Sequence, residues 1–276
     1  NGFGDWDTDG HANRVIEVDL DLLGTFAQLY DEPGTPANEA RLPTVHSREL
    51  ISVLKRFSLQ PNHLANIEED FLLHQIWDEA GAQADSLIHR ETSFAASLED
   101  LILSGPHIYI CNPFSKTPKR VCDTHRAYEP IDLETLPDGY FPRVNYRRGP
   151  DLIRYVSRLP RVGWLDDGAV EQKTITSYWR LVARRNAHPA DERSVRPALI
   201  PPQVTHIDGV FSIAFRNPKL LVPVCGYWSS LPFDFFVRFM AKKDFRKATA
   251  NLMPLLDSSL EIALRVLVLN SLTLHY

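Results

Sequence analysis

The stretch ALIPPQVTHIDGVFSIAF, residues 198–215, decides how the chain folds. Ala198–Ile200 is a short apolar run stopped by Pro201-Pro202. Thr205–Ile207 and Val210–Phe215 follow, rich in the β-branched and aromatic residues that suit a pleated surface. Asp208-Gly209 between them is a two-residue hairpin signal, since both residue types tolerate positive φ. Short strands joined by tight turns predict a twisted, mostly antiparallel sheet.

Outward from that sheet the periodicity becomes helical. Downstream, Leu220–Met240 is apolar and helical, started or bent by Pro223 and Pro232, and Leu260–Leu272 reads as a final helix. Upstream, Thr174–Arg185 is ambiguous, with Thr, Ile, Tyr and Trp favouring a strand, and Asp151–Arg158 reads as a helix. Nearer the start, Arg14–Leu20 alternates like a strand and Leu22–Tyr30 reads as a short helix. Ser47 opens a helix through Phe57, and Leu64–Ala80 reads as another. Ser93 or Ser97 starts a further short helix before Leu103. The acidic, Gly-rich residues 1–13 read as loop. The fold class is therefore mixed α+β. An acidic helical segment with some strand (1–105) precedes a sheet-based domain flanked by helices (106–245) and a helical C-terminal segment (246–276).

At 276 residues the chain is long enough to bury a substantial core, and its 44% apolar share is ordinary for a globular protein. No apolar run reaches the ~18 residues of a membrane span. Three cysteines, an odd number without framework spacing, point to a reducing compartment and a cytoplasmic protein. A first residue Asn1 and an apolar run close to Tyr276 suggest a piece of a longer polypeptide.

The net charge of -5 hides an uneven distribution. Residues 1–115 hold six Lys/Arg against nineteen Asp/Glu, whereas 116–196 hold sixteen against eleven and 197–276 eight against five. A basic middle beside an acidic start points to a polyanion-binding face. Solvated surface charge explains the same numbers equally well.

That basic middle includes Ser104–Arg148, an apolar strand at His107–Cys111 followed by a long loop rich in Pro, Tyr, Lys and Arg. Long structured loops in compact domains are usually functional. Three basic–aromatic groups follow one another: Lys116, Lys119, Arg120 with Arg126; Arg143, Asn145, Arg147 and Arg148; and Tyr178, Arg180, Arg184 and Arg185. Lys and Arg neutralise phosphates, while Arg and Asn also bond base edges in pairs. Together these twelve residues predict a double-stranded DNA surface. Any single Arg is as easily a structural ion pair with one of the eleven acids nearby.

Other motifs carry less. His107, Cys111, Cys122 and His125 are ligand types for zinc, but H-x3-C-x10-C-x2-H is not a paired-ligand spacing, so burial is the better reading. Gly2-Phe3-Gly4 has no strand before it and fails as a cofactor loop. Asn112-Pro113-Phe114 lacks the second proline of the Asn-Pro-Pro-aromatic motif of amino-methyltransferases and reads as a turn. No self-contained catalytic constellation stands out, so neither a catalytic residue nor a cofactor or metal ligand is assigned to this chain.

ILSGPHIYICNPFSKTPKRVC (102–122), LPDGYFPRVNYRR (136–148) and ERSVRPALIPPQVTHIDGVFSIAF (192–215) resemble the C-terminal half of large bacterial N6-adenine DNA methyltransferases. These are the methylases of DISARM and BREX phage defence and of type IIG restriction–modification. VCGYWSSLPFDFFVRFM (224–240) is similar to the helix that closes their TaqI-like target-recognition domain. WDEAGAQADSLIHRETSF (77–94) is similar to the region just before it. The resemblance implies a recognition part whose parent protein binds S-adenosylmethionine and methylates adenine elsewhere. Its implied partners are double-stranded DNA, the catalytic domain of the same parent chain and subunits of a defence system. A competing expectation is a protein-interaction module whose acidic first segment docks such a subunit.

Overall fold

Val210–Phe215 runs through the interior of a four-stranded antiparallel sheet, buried at every position. The computed structural model describes residues 12, 15–43, 45, 47–124, 126–187, 191–240, 244–256 and 259–276. In chain order its elements are α1 (Leu20–Tyr30), α2 (Arg48–Ser58), β1 (Phe71–His74), α3 (Glu79–Ala84), β2 (Ile88–Phe94), β3 (Ile102–Leu103), β4 (Lys116–Pro118), β5 (Tyr128–Pro130), β6 (Arg143–Arg148), α4 (Leu152–Ser157), β7 (Arg180–Arg184), β8 (Pro197–Ile200), β9 (Thr205–His206), β10 (Val210–Phe215), α5 (Leu221–Trp228), α6 (Leu231–Phe239), α7 (Lys247–Asn251) and α8 (Leu260–Asn270). The fold is mixed α+β, as the sequence implies.

The central sheet has the order β1-β10-β7-β8. The strand period of two sends Phe211, Ile213 and Phe215 to one face, with Leu181, Ala183 and Leu199 from neighbouring strands. Helices cover that face through Phe26, Leu54, Val224, Trp228, Phe233 and Phe236. Burying side chains of this kind stabilises by roughly 1.5–3 kcal/mol each. Val210, Val182, Ala198 and Ile200 point the other way, onto Leu101, Leu103, Ile108 and Val144. That second layer is made of short pairs: β2 with β6, and β3 with β9.

Hydrogen-bonded pairs cross the boundaries read near residues 105 and 245. β1 completes the central sheet against β10, and β2 pairs with β6. At the other end α8 lies so close to α5 that a Cβ on Gly226 would sit 2.3 Å from Ile262 Cγ2.

Several local expectations are corrected. Asp208-Gly209 is a turn, closed by Val210 N–H donating to the Ile207 carbonyl at 3.0 Å, but β9 and β10 are not a hairpin. Both edges of β10 are taken by β1 and β7, so β9 pairs in parallel with β3. His107–Cys111 is not a strand. Gly105–His107 is a 3-10 turn stapled by Ser104, and Cys111 takes φ 50° in the turn after it. Leu64–Ala80 is a 3-10 segment, then β1, then the start of α3, because the sheet claims Phe71–His74. The described part of Arg14–Leu20 is irregular up to Leu20, where α1 starts under an Asp19 cap. Thr174–Arg185 divides into a 3-10 turn at Ile175–Ser177 and β7. Leu220–Met240 is two helices set 79° apart across Ser229-Ser230, with Ser230 capping α6 and Pro232 in its first turn. The loop of residues 1–13, apart from Ala12, lies outside the described residues, as do Arg14 and His125. No described helix is long and apolar enough by itself to cross a membrane.

Candidate nucleic-acid interface

The long loop after Cys111 contains the antiparallel hairpin of β4 and β5, with Lys116 opposite Pro130 and Pro118 opposite Tyr128. Lys119 N–H donates to the Ala127 carbonyl at 2.9 Å, and residues 120–124 and 126 belong to the hairpin tip. Lys116, Lys119, Arg120 and Arg126 are exposed, and none of them forms an ion pair among the described residues. Asp123 is the one acid between Lys116 and Arg126. An exposed cation with no protein partner can meet a phosphate without first breaking a bond.

β6 is built differently. Arg143 is half-buried and pairs with Glu129; its Nε donates to the Pro118 carbonyl at 2.7 Å, and its guanidinium lies 5.1 Å from the Phe94 ring centre. Arg148 bonds Asp100 at 2.9 Å. Arg147 stands 3.7 Å from Glu91, whose other oxygen lies 3.3 Å from His89 Nε2. Asn145 is buried: its Nδ2 donates to Tyr128 Oη at 2.8 Å, and its Oδ1 accepts from Thr92 at 3.2 Å. Arg143 and Asn145 lock the hairpin to the layer beneath it, while Glu91 and Asp100 engage Arg147 and Arg148 outside it.

The third group is held further inside. Arg180 is completely buried and bonds the carbonyls of Val204 and Tyr178 with no carboxylate partner among the described residues, and burial pushes its guanidinium down to about 9. Arg184 Nε donates to the Ile108 carbonyl at 3.0 Å, and burial, then Arg196, lower it to about 10. Arg185 bonds Gln75 and lies within 3.8 Å of Asp208 and Asp244. Tyr178 donates to Asp166 at 2.9 Å. Arg180 therefore does not reach the surface and is a core cation.

Beside the hairpin tip opens a cleft of about 480 Å³. Glu79, Arg90, Ser104, Tyr128, Asn145 and Tyr146 line it, with Asp123 and Thr124 of the tip at its side. Its walls carry three polar pairs. Tyr128 Oη lies 2.6 Å from Ser104 Oγ, Tyr146 donates to Glu79 Oε1, and Arg90 Nη2 donates to the Cys122 carbonyl at 2.7 Å. Burial pushes the Tyr128 hydroxyl up to about 12; burial, then the Glu79 carboxylate, raises Tyr146. Both stay protonated donors at neutral pH. Of the twelve residues read from the sequence, Asn145 alone lines this cleft. Glu79 and Arg90 belong to the acidic first segment, where segment-wide charge gave no reason to look.

The described members of the cysteine–histidine cluster, His107, Cys111 and Cys122, are buried. Desolvation lowers the buried His107, whose Nε2 meets the Arg143 carbonyl at 2.9 Å while its Nδ1 meets Ser104. Cys111 lies 3.0 Å from Ser229 Oγ, and Cys122 receives the second Asn145 amide hydrogen at 3.2 Å. Among the described residues no group of three or more His, Cys, Asp or Glu could hold a metal ion. Asn112 Oδ1 accepts from Phe114 N–H at 2.7 Å, a local turn that buries Phe114. No protein-family model matches the chain, and no curated protein matches it in sequence.

Proposed function

We propose that this chain is the DNA sequence-recognition part of a site-specific N6-adenine DNA methyltransferase of phage defence or restriction–modification. S-adenosylmethionine binding and methyl transfer would belong to another part of the parent protein. One observation carries the reading: Lys116, Lys119, Arg120 and Arg126 stand exposed and unpaired among the described residues on one hairpin, next to a polar cleft. Phosphates docking there would release counterions, so binding would weaken steeply with salt. Arg143, engaged with Glu129 and the Pro118 carbonyl, would position the hairpin rather than lead the contact, and Arg148 is held by Asp100. The free, buried thiols of Cys111, Cys122 and Cys225 suit a reducing cytoplasm.

Fluorescence anisotropy with duplex DNA over a salt series tests this. Each phosphate contact adds about 0.9 to the log–log salt slope, so Lys119→Ala with Arg120→Ala is expected to lower it by about 1.8. An unchanged slope and affinity in a folded double variant would remove the assignment.

A second reading, docking of a partner subunit, rests on a different surface. Leu260, Leu264 and Val268 form an exposed apolar stripe at i, i+4 and i+8 on α8. Co-purification with a defence-system subunit, lost in Leu264→Glu while duplex binding is absent in both forms, would favour it.

A further inference from the structure

The cleft beside the hairpin has a chemistry of its own. Its volume of about 480 Å³ lies in the range of small-ligand sites. Tyr128 and Tyr146 contribute aromatic surface, and Pro106 and Ile207 add apolar wall. One oxygen of Glu79 accepts from Tyr146; among the described residues nothing bonds the other. Against Glu79 and Asp123 stands one lining cation, Arg90, which already donates to the Cys122 carbonyl. The cleft therefore repels a phosphate and favours a planar group that donates hydrogen bonds.

We infer that this cleft takes a single unstacked nucleobase bearing an exocyclic amino group, with Glu79 accepting from that amine. The inference rests on the DNA-binding reading above and adds to it a pocket for one base. Asp123 and Thr124, which line the cleft, belong to the same hairpin tip as Lys119, Arg120 and Arg126. A strand whose phosphates meet those cations passes over the cleft mouth, where a base without a pairing partner can turn in. Adenine, cytosine and guanine carry the required amine. Thymine has no such amine, and its one ring donor, N3–H, stands between two carbonyl oxygens that the carboxylate repels. Extruding a base costs least where it is already unpaired, so single unpaired nucleotides are the natural probes.

The test uses the full chain and duplexes that differ only at one bulged nucleotide, adenosine, cytidine or thymidine, beside the fully paired duplex. Bulged adenosine and cytidine are expected to bind about ten-fold tighter than bulged thymidine, the worth of one charge-assisted hydrogen bond. Glu79→Gln keeps an acceptor for Tyr146 and should bring the three bulges together. Equal affinity for all bulges in the unaltered chain, with the paired duplex bound, overturns the cleft and leaves the DNA reading standing. Failure to bind any duplex overturns both. The comparison in the unaltered chain decides the matter even where the variant does not fold.

Discussion

The hydroxyl of Tyr128 meets the side chain of Ser104 at 2.6 Å, tying the basic hairpin to the segment that runs under the central sheet. Asn145 Nδ2 joins the same hydroxyl at 2.8 Å from β6, so three separate parts of the chain share one small polar knot. Ser104 and Asn145 are buried, and Tyr128 is half-buried. Such a network is rigid when complete and costly when one member is removed.

Asn145→Ala is therefore expected to destabilise the protein by about 1–3 kcal/mol, since it strips donors and an acceptor from Tyr128, Cys122 and Thr92. Urea denaturation at neutral pH measures this. Asn145→Asp would be a poor rescue, because it puts an anion where Nδ2 now donates. An Asn145→Ala protein as stable as the parent would mean that the knot does not hold the hairpin.

Acid should unfold the protein through its buried histidines. Burial, then Arg180, pushes His206 down to about 3, and burial lowers His107. Each is neutral in the fold and takes up a proton more readily when unfolded. The stability this represents is complete above about 6.5, the ordinary histidine value, and is lost as pH falls towards 3. Melting temperatures measured from pH 7 to pH 4 are expected to fall, with His206→Gln flattening the slope if it folds.

Gly149→Ala should fail for a steric reason. A Cβ there would lie 2.0 Å from the Ser86 carbonyl oxygen, which is backbone and cannot rotate away. Gly149 N–H also donates to the Leu87 carbonyl at 2.7 Å, so opening the approach would break that bond and loosen the β2–β6 ribbon. A loss of at least about 1–3 kcal/mol is expected, measurable by thermal or urea unfolding. Gly139→Ala, where nothing lies within 4 Å of the added carbon, is the control.

Local rules carried the sequence a long way. Val210–Phe215 is a strand because β-branched and aromatic residues recur in it, and Pro197–Ile200 is a short apolar strand stopped by Pro201-Pro202. α2 lies where its apolar period places it, and Asp151 caps α4 through the Arg154 N–H. The mixed α+β class follows from such elements alone. Strand partners do not, because pairing depends on which edges remain free; β1, read as helix, became a strand when the sheet took Phe71–His74.

The candidate site divides in the same way. Residue type marked Lys116, Lys119, Arg120 and Arg126 as cations, and the structure leaves them exposed on one hairpin. Arg143 and Arg180 look the same in the sequence, yet one is engaged with Glu129 and the other is sealed in the core. Charge is written in the side chain, whereas its availability depends on desolvation and on partners far along the chain. The sequence by itself determined the fold class and the store of basic residues. Only the tertiary structure decided which of them face water, and it alone brought Glu79 and Arg90 to the cleft beside Tyr128, because packing joins residues that no local period connects.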